Sequence, residues 1–239
     1  PEVGEKILNV TDVQTISVVV DGEPVNLNTL NTGSYNRVLD MQRGYSGRTA
    51  LWTGETGKRI RIAARRLASF TTPELFALEY SVEALDPLTV RLGAEVRGAV
   101  SNFFDPTDPR VSGSAFSPLV VESVDVTGSR ILVSSRTAES ALRLAVGVDH
   151  QCTHSGKTDI ALTGEKTRDS AVLSCEVRLQ PGEKLTIVKK AVFCDSLRYE
   201  NPETAVQSLL DARTTENFES ILATQETYLA SFWDTAAIT

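Results

Sequence analysis

The side chains able to do chemistry are few in this 239-residue chain, and their spacing limits what they could do. Asp105 and Asp108, in FFDPTDPR, stand three apart, and paired carboxylates can divide acid and base work between them. That work needs a fixed separation, and Pro106 and Pro109 make the segment read as a turn-rich loop instead. His150, Cys152 and His154 alternate, so a strand would set all three on one face, where they could offer ligands to a metal ion. A fourth ligand is not evident, and such a row is more often packing and rim, so no metal site is assigned. Cys152, Cys175 and Cys194 are odd in number and widely spaced, with no CxxC pair. They read as small buried hydrophobes of a chain kept in a reducing, cytoplasmic compartment. No glycine-rich phosphate loop occurs, and no cofactor is expected.

The stretch RIRIAARRLASF, residues 59–70, puts four arginines into eight positions. A polyanion would need such a patch, because a net charge of −7 repels phosphate backbones. The alternation argues against that use. Ile60, Ile62 and Ala64 point one way and Arg59, Arg61 and Arg65 the other, as on a strand with one solvated face. Arg66 breaks the phase, and Leu67 turns inward only if a bulge shifts the register. With 31 acidic residues in the chain and no ring interleaved among these arginines, a charged solvent-facing strand is expected and no nucleic-acid partner. Trp52 and Trp233 could stack on the apolar faces of sugars, but Trp233 belongs to a helical stripe and packing is expected for both.

Strands must position these groups. Period-2 runs bounded by Gly, Pro, Asn and Asp dominate the chain, beginning with 15–20 and 23–27 on either side of Asp21-Gly22, a strong hairpin signal. Further runs cover 35–41, 46–53, 58–70, 75–85 and 88–100, then 119–126, 130–135, 141–152, 170–179 and 184–194. Many strands without helices between them predict a mainly β fold, a large two-sheet antiparallel sandwich (a supersandwich) filling residues 1–200. Two linker helices follow in 201–239. Asn201 and Pro202 make an N-cap and first-turn pair for a helix to about Ala212. A second helix from Thr215 carries Phe218, Ile221, Leu222, Gln225, Leu229, Phe232 and Trp233 on one face. Hydrophobic residues at 41% and charged ones at 23% fit a globular chain, and no apolar run approaches the ~20 residues that span a bilayer, so no membrane partner is expected.

The run YNRVLDMQRGYSGRTALWTGETGKRIRIAARRLASFTTPELFALEYSVEAL resembles the amino-terminal domain of glycoside hydrolase family 65. The features that carry the resemblance are Tyr35, Arg37, Leu39-Asp40, Arg43-Gly44, Trp52, the basic strand 59–66 and Ser69. Upstream VVVDGEPVNL fits that domain's hairpin, and downstream LQPGEKLTIVKKAVF and SFWDTAAI fit its late strand pair and helical linker. The family contains maltose, kojibiose and trehalose phosphorylases and some trehalose hydrolases.

The resemblance implies an inverting reaction in which a glutamic acid protonates the glycosidic oxygen while phosphate or water attacks the opposite face of the sugar. In the family both the acid and the phosphate site belong to an α/α-barrel domain, so no catalytic residue is carried onto this sequence. The resembled domain also opens with a glycine-rich segment holding an Asn-Gly-Tyr motif, which is not found before Pro1. The chain is therefore expected to be part of a longer enzyme, inactive alone, supporting the barrel and contributing to a homodimer. The surface expected to meet the barrel or a second subunit is the loop 101–118, with Phe103, Phe104 and Phe116, together with the helix stripe that ends at Phe232 and Trp233. A stand-alone carbohydrate-binding module is the alternative, but it needs a platform of exposed rings and only 6% of residues are aromatic.

Overall fold

The structure, a computed structural model, describes residues 8–27, 32–102, 118–155 and 158–236. The strands are β1 (Ile16–Val20), β2 (Glu23–Pro24), β3 (Thr32–Asp40), β4 (Tyr45–Thr53), β5 (Arg59–Ala68), β6 (Leu75–Ala84) and β7 (Leu88–Arg97). They continue as β8 (Leu119–Thr127), β9 (Arg130–Thr137), β10 (Arg143–His154), β11 (Thr158–Asp159), β12 (Thr163–Lys166), β13 (Ser170–Leu179) and β14 (Lys184–Asp195). Two helices close the chain, α1 (Pro202–Asp211) and α2 (Phe218–Ala236).

A small sheet runs β12-β13-β7-β1-β2 and a large one β3-β4-β5-β6-β14-β10-β9-β8, with β11 against the end of β10. Their pairings are antiparallel, so this is the expected two-sheet sandwich followed by two helices. The exposed edge strand β12 (TGEK) has no hydrophobic alternation and was not legible as a strand. Between the sheets the inward positions meet in two clusters. One gathers Val18, Ile60, Ile62, Val82, Val90, Leu92 and Ile187, and the other Val96, Ile131, Val133, Val146, Val148 and Leu173. Trp52, 3% exposed, belongs to the first, so its ring is core and not a sugar platform. Lys189 is also buried between the sheets and donates to the Glu95 carbonyl at 2.7 Å. Burial pushes its pKa down to about 7, with Asp12 and Glu95 pulling the other way.

The helices cover part of the outer face of the large sheet. Asn201 caps α1, its side chain accepting from the Thr204 N–H at 3.0 Å. Glycine at position 147 of β10 lets α1 approach closely, since a Cβ there would collide with Val206 Cγ1 and Leu210 Cδ1. The second helix begins at Phe218 rather than Thr215 for two reasons. Asn217 accepts from the Ser220 N–H at 2.9 Å and so caps it. In the preceding turn the Lys190 ammonium takes the carbonyls of Arg213, Thr214 and Glu216 at 2.5, 3.4 and 2.9 Å. Val206, Leu210, Phe218, Ile221 and Leu222 then seal Leu67, Leu75, Ala77, Ala145, Val192 and Cys194 into a third core.

This third core corrects the expectation for Leu67. The register of β5 against β6 is continuous from Ile60 to Ala68, without a bulge. Leu67 shares the outward face with Arg61 and Arg65, yet is buried because a helix lies over that end of the strand. Arg66 falls on the opposite face, where it donates to Gln14 Oε1 at 2.6 Å and Ser46 Oγ at 3.1 Å.

Candidate functional site

The β3–β4 turn is built around the Asp40 side chain, which accepts from the Arg43 N–H at 2.9 Å, and Gly44, whose φ of 76° suits a residue without a side chain. Gln225 of α2 is buried and ties this turn to the end of β5. Its amide nitrogen donates to the carbonyls of Gly44 at 2.8 Å and Ala68 at 3.1 Å, and its oxygen accepts from the Phe70 N–H at 2.9 Å. Farther along the helix the Trp233 indole donates to the Met41 carbonyl at 3.1 Å, and Arg43 pairs with Glu226.

The three pieces enclose a groove of about 520 Å³, lined by Leu39, Met41, Phe70, Tyr228, Phe232 and Trp233 among others. Its apolar groups are open to solvent: Leu39 is 71% exposed, Phe70 57% and Phe232 47%. Phe70 and Tyr228 stack with ring planes 9° apart, and Phe232 meets Trp233 edge-on. Polar groups on the rim are already engaged, Asp40 by Arg43 and Arg66 by Gln14 and Ser46. The groove thus offers contact area with few free hydrogen-bonding groups, the character of a protein-docking surface.

The helical stripe foreseen as an interface divides in two. Phe218, Ile221, Leu222, Gln225 and Leu229 are buried against their own domain, whereas Phe232 faces the groove and Trp233 is half-buried beside it. Phe103, Phe104, Phe116, Asp105 and Asp108 lie outside the described residues. Sequence reading missed Leu39, Met41, Phe70 and Tyr228, since only folding brings the three segments together.

The other candidates resolve differently. Arg59 pairs with Asp86 at 3.0 Å, Arg61 with Glu83 at 3.0 Å, and Arg65 with Glu79 at 2.6 Å and with Glu219 of α2. Arg61 and Arg65 stand directly opposite their acids on β6, so the ladder is neutralised on its own sheet and leaves little field for a phosphate. His150, Cys152 and His154 do not converge. The His150 Nδ1 meets the Ser129 carbonyl at 3.0 Å, Cys152 Sγ lies 3.5 Å from Cys175 Sγ, and His154 Nε2 lies 3.3 Å from Glu183. Burial, and then the Lys189 charge, pushes the His150 pKa down to about 3. Among the described residues no group of three or more His, Cys, Asp or Glu is placed to hold a metal ion, and no helix is long and apolar enough to cross a membrane.

Residues 1–232 match the N-terminal domain of glycosyl hydrolase family 65. The chain belongs to this family. Over its whole length it is 32% identical to an uncharacterised glycosyl hydrolase of Mycobacterium leprae and covers 30% of that protein. With 98% of its length it is 29% identical to the alpha,alpha-trehalose phosphorylase of Geobacillus stearothermophilus, again covering 30% of the relative. Among solved structures, a candidate kojibiose phosphorylase from the human microbiome superposes with a TM-score of 0.77 over 95% of this chain and 28% of its own, at 15% identity. The fold is therefore that of the family 65 amino-terminal domain, and the chain spans about 30% of the length of the curated relatives.

Proposed function

We propose that this family 65 domain is non-catalytic, and that it supports an α/α-barrel catalytic domain which packs into the aromatic groove beside the end of α2. The observation that carries the reading is the groove itself. Beside a strand whose Arg59, Arg61 and Arg65 are paired with acids, it is a concentration of open aromatic and aliphatic side chains. Relatives about three times as long supply a suitable occupant. Acid catalysis of glycoside cleavage then belongs to the barrel, acting on an α-linked glucose disaccharide with phosphate or water as the attacking group.

The test uses the purified chain and its enzyme's barrel region expressed separately. The chain alone should neither hydrolyse nor phosphorolyse maltose, trehalose or kojibiose. It should associate with the barrel region, and a Phe70→Ser/Tyr228→Ser double variant, folded as judged by circular dichroism, should lose that association. Turnover by the chain alone that disappears on replacing one of its own carboxylates overturns the reading. Association untouched by the double variant removes the groove from it. Because the stacked Phe70–Tyr228 pair could also carry a pyranose ring, micromolar glycan binding lost in the same variant would favour a carbohydrate-binding module instead.

A further inference from the structure

We infer that Cys152 and Cys175 are a covalent modification site, a dithiol that closes to a disulfide linking the two sheets. Cys152 lies on the inner face of β10 in the large sheet and Cys175 on the inner face of β13 in the small one. They come from different sheets and 23 positions apart, yet their sulfurs sit 3.5 Å from each other, both buried. A disulfide needs about 2.05 Å between sulfurs, a closure that small rotations of two short side chains can supply.

The surroundings favour the reaction at this pair. The two sulfurs share one hydrogen bond, which with the Leu92 backbone N–H holds the Cys175 thiol below its ordinary value against burial and, together with burial, holds the Cys152 thiol above its own. Cys152 lines a cavity of about 370 Å³ together with Ser129, His150 and Asp159, large enough for a small oxidant. Cys194 offers the internal contrast in position, buried beneath the helices on the outer face of β14 in a core separate from that of the pair.

With hydrogen peroxide as oxidant the atoms balance in two steps. One thiol takes an oxygen from the peroxide, becoming a sulfenic acid and releasing water. The second thiol displaces the sulfenic hydroxyl, which leaves as a second water, and the S–S bond forms. Two thiols lose two hydrogens and two electrons in all, and one peroxide is reduced.

The experiment treats the folded chain with hydrogen peroxide, quenches it, and counts thiols in denaturant before peptide mapping. The reduced protein should show its three free thiols. The oxidised protein should show one, assigned to Cys194, with the 152 and 175 peptides joined and the unfolding midpoint raised until dithiothreitol is added. Cys175→Ala should abolish both the link and the shift. Three thiols surviving in the treated protein, a link that includes Cys194, or sulfinic and sulfonic products in place of the 152–175 bond would each overturn the proposal.

Discussion

The second helix passes through two neighbourhoods with the same residue spacing and different fates. From Phe218 to Leu229 its inward side chains are buried, lying over a stretch of β5 and β6 that presents Leu67, Leu75 and Ala77. Over the last two turns the stripe continues through Phe232, which is 47% exposed. There the Trp233 indole holds the helix to the Met41 carbonyl of the β3–β4 turn, and the Phe232 ring stays open in the groove that Phe70 also lines. Helical periodicity tells which residues share a face. It does not tell whether the same domain has anything to set against that face. The open turns are where a partner can contribute what the sheet does not.

Substitutions at the two ends should differ sharply, and the largest effect belongs to Gln225. Replacing it by leucine leaves the Gly44 and Ala68 carbonyls and the Phe70 N–H without their side-chain partner, and an unsatisfied buried group costs about 1–3 kcal/mol. We expect Gln225→Leu to lower stability by about 3 kcal/mol, read from the urea midpoint at unchanged slope. Leu222→Ala should fall close behind, at about 2–3 kcal/mol, as a cavity in the covered core. Phe232→Ala in the groove should stay within about 0.5 kcal/mol of the parent. A Phe232→Ala cost equal to that of Leu222→Ala would break the comparison, because the open turns would then be as closed as the rest.

A pH series reaches the inter-sheet core on which both neighbourhoods rest. His150 titrates near 3 when folded and at its ordinary 6.5 when unfolded, so folding favours the neutral ring. The folded pKa is depressed, and the unfolded chain binds the extra proton. That contribution to stability is therefore present above 6.5 and lost as pH falls towards 3. Between pH 7 and pH 5 the loss should be about 2 kcal/mol. Lys189, opposite His150 on β14, also titrates low when folded, but its dependence falls mostly between 10.5 and 7, above this window. His150→Leu should flatten the pH 7 to 5 slope without opening a new defect, because the Ser129 carbonyl keeps its bond from the residue 150 backbone N–H at 3.0 Å. An unchanged slope in that variant would place the acid sensitivity elsewhere.

Most of the strands and the first helix were legible because they are built from local signals: alternation in β5 and β7, Asp21-Gly22 in the first hairpin, and Asn201-Pro202 opening α1. The order of the arginines also revealed a charged outer face. What could not be read was coverage. Leu67 looked out of phase because a strand pattern carries two faces and no record of a helix arriving from 150 positions away. The groove was hidden for the same reason, since Met41, Phe70 and Tyr228 lie on three segments with no shared period. Gln225 read as one more polar member of a stripe, and its three hydrogen bonds exist only because two distant backbone segments converge on it.

The smallest effects should come from the arginine ladder, and they sharpen the comparison because the ladder crosses the boundary between open and covered surface. Arg61 and Arg65 are chemically alike, each opposite a glutamate on β6. Arg61 keeps 53% of its side chain in water and has Glu83 as its acid. Such exposed pairs contribute between nothing and about 1 kcal/mol, because Coulomb attraction in water is weak and two long side chains must be held still. Arg65 is half as exposed, pairs with Glu79 and with Glu219 of α2, and lies 4.7 Å over the Phe218 ring. The ring's contact with the guanidinium adds an attraction that does not depend on a second charge. We expect Arg61→Ala to cost under about 0.5 kcal/mol and Arg65→Ala about 1–2 kcal/mol. In 1 M salt, where screening acts within about 3 Å, the Arg61 effect should vanish while most of the Arg65 effect remains. Equal costs at the two positions, or equal sensitivity to salt, would mean that the cover of α2 over Arg65 contributes nothing beyond the sheet's own ion pairs.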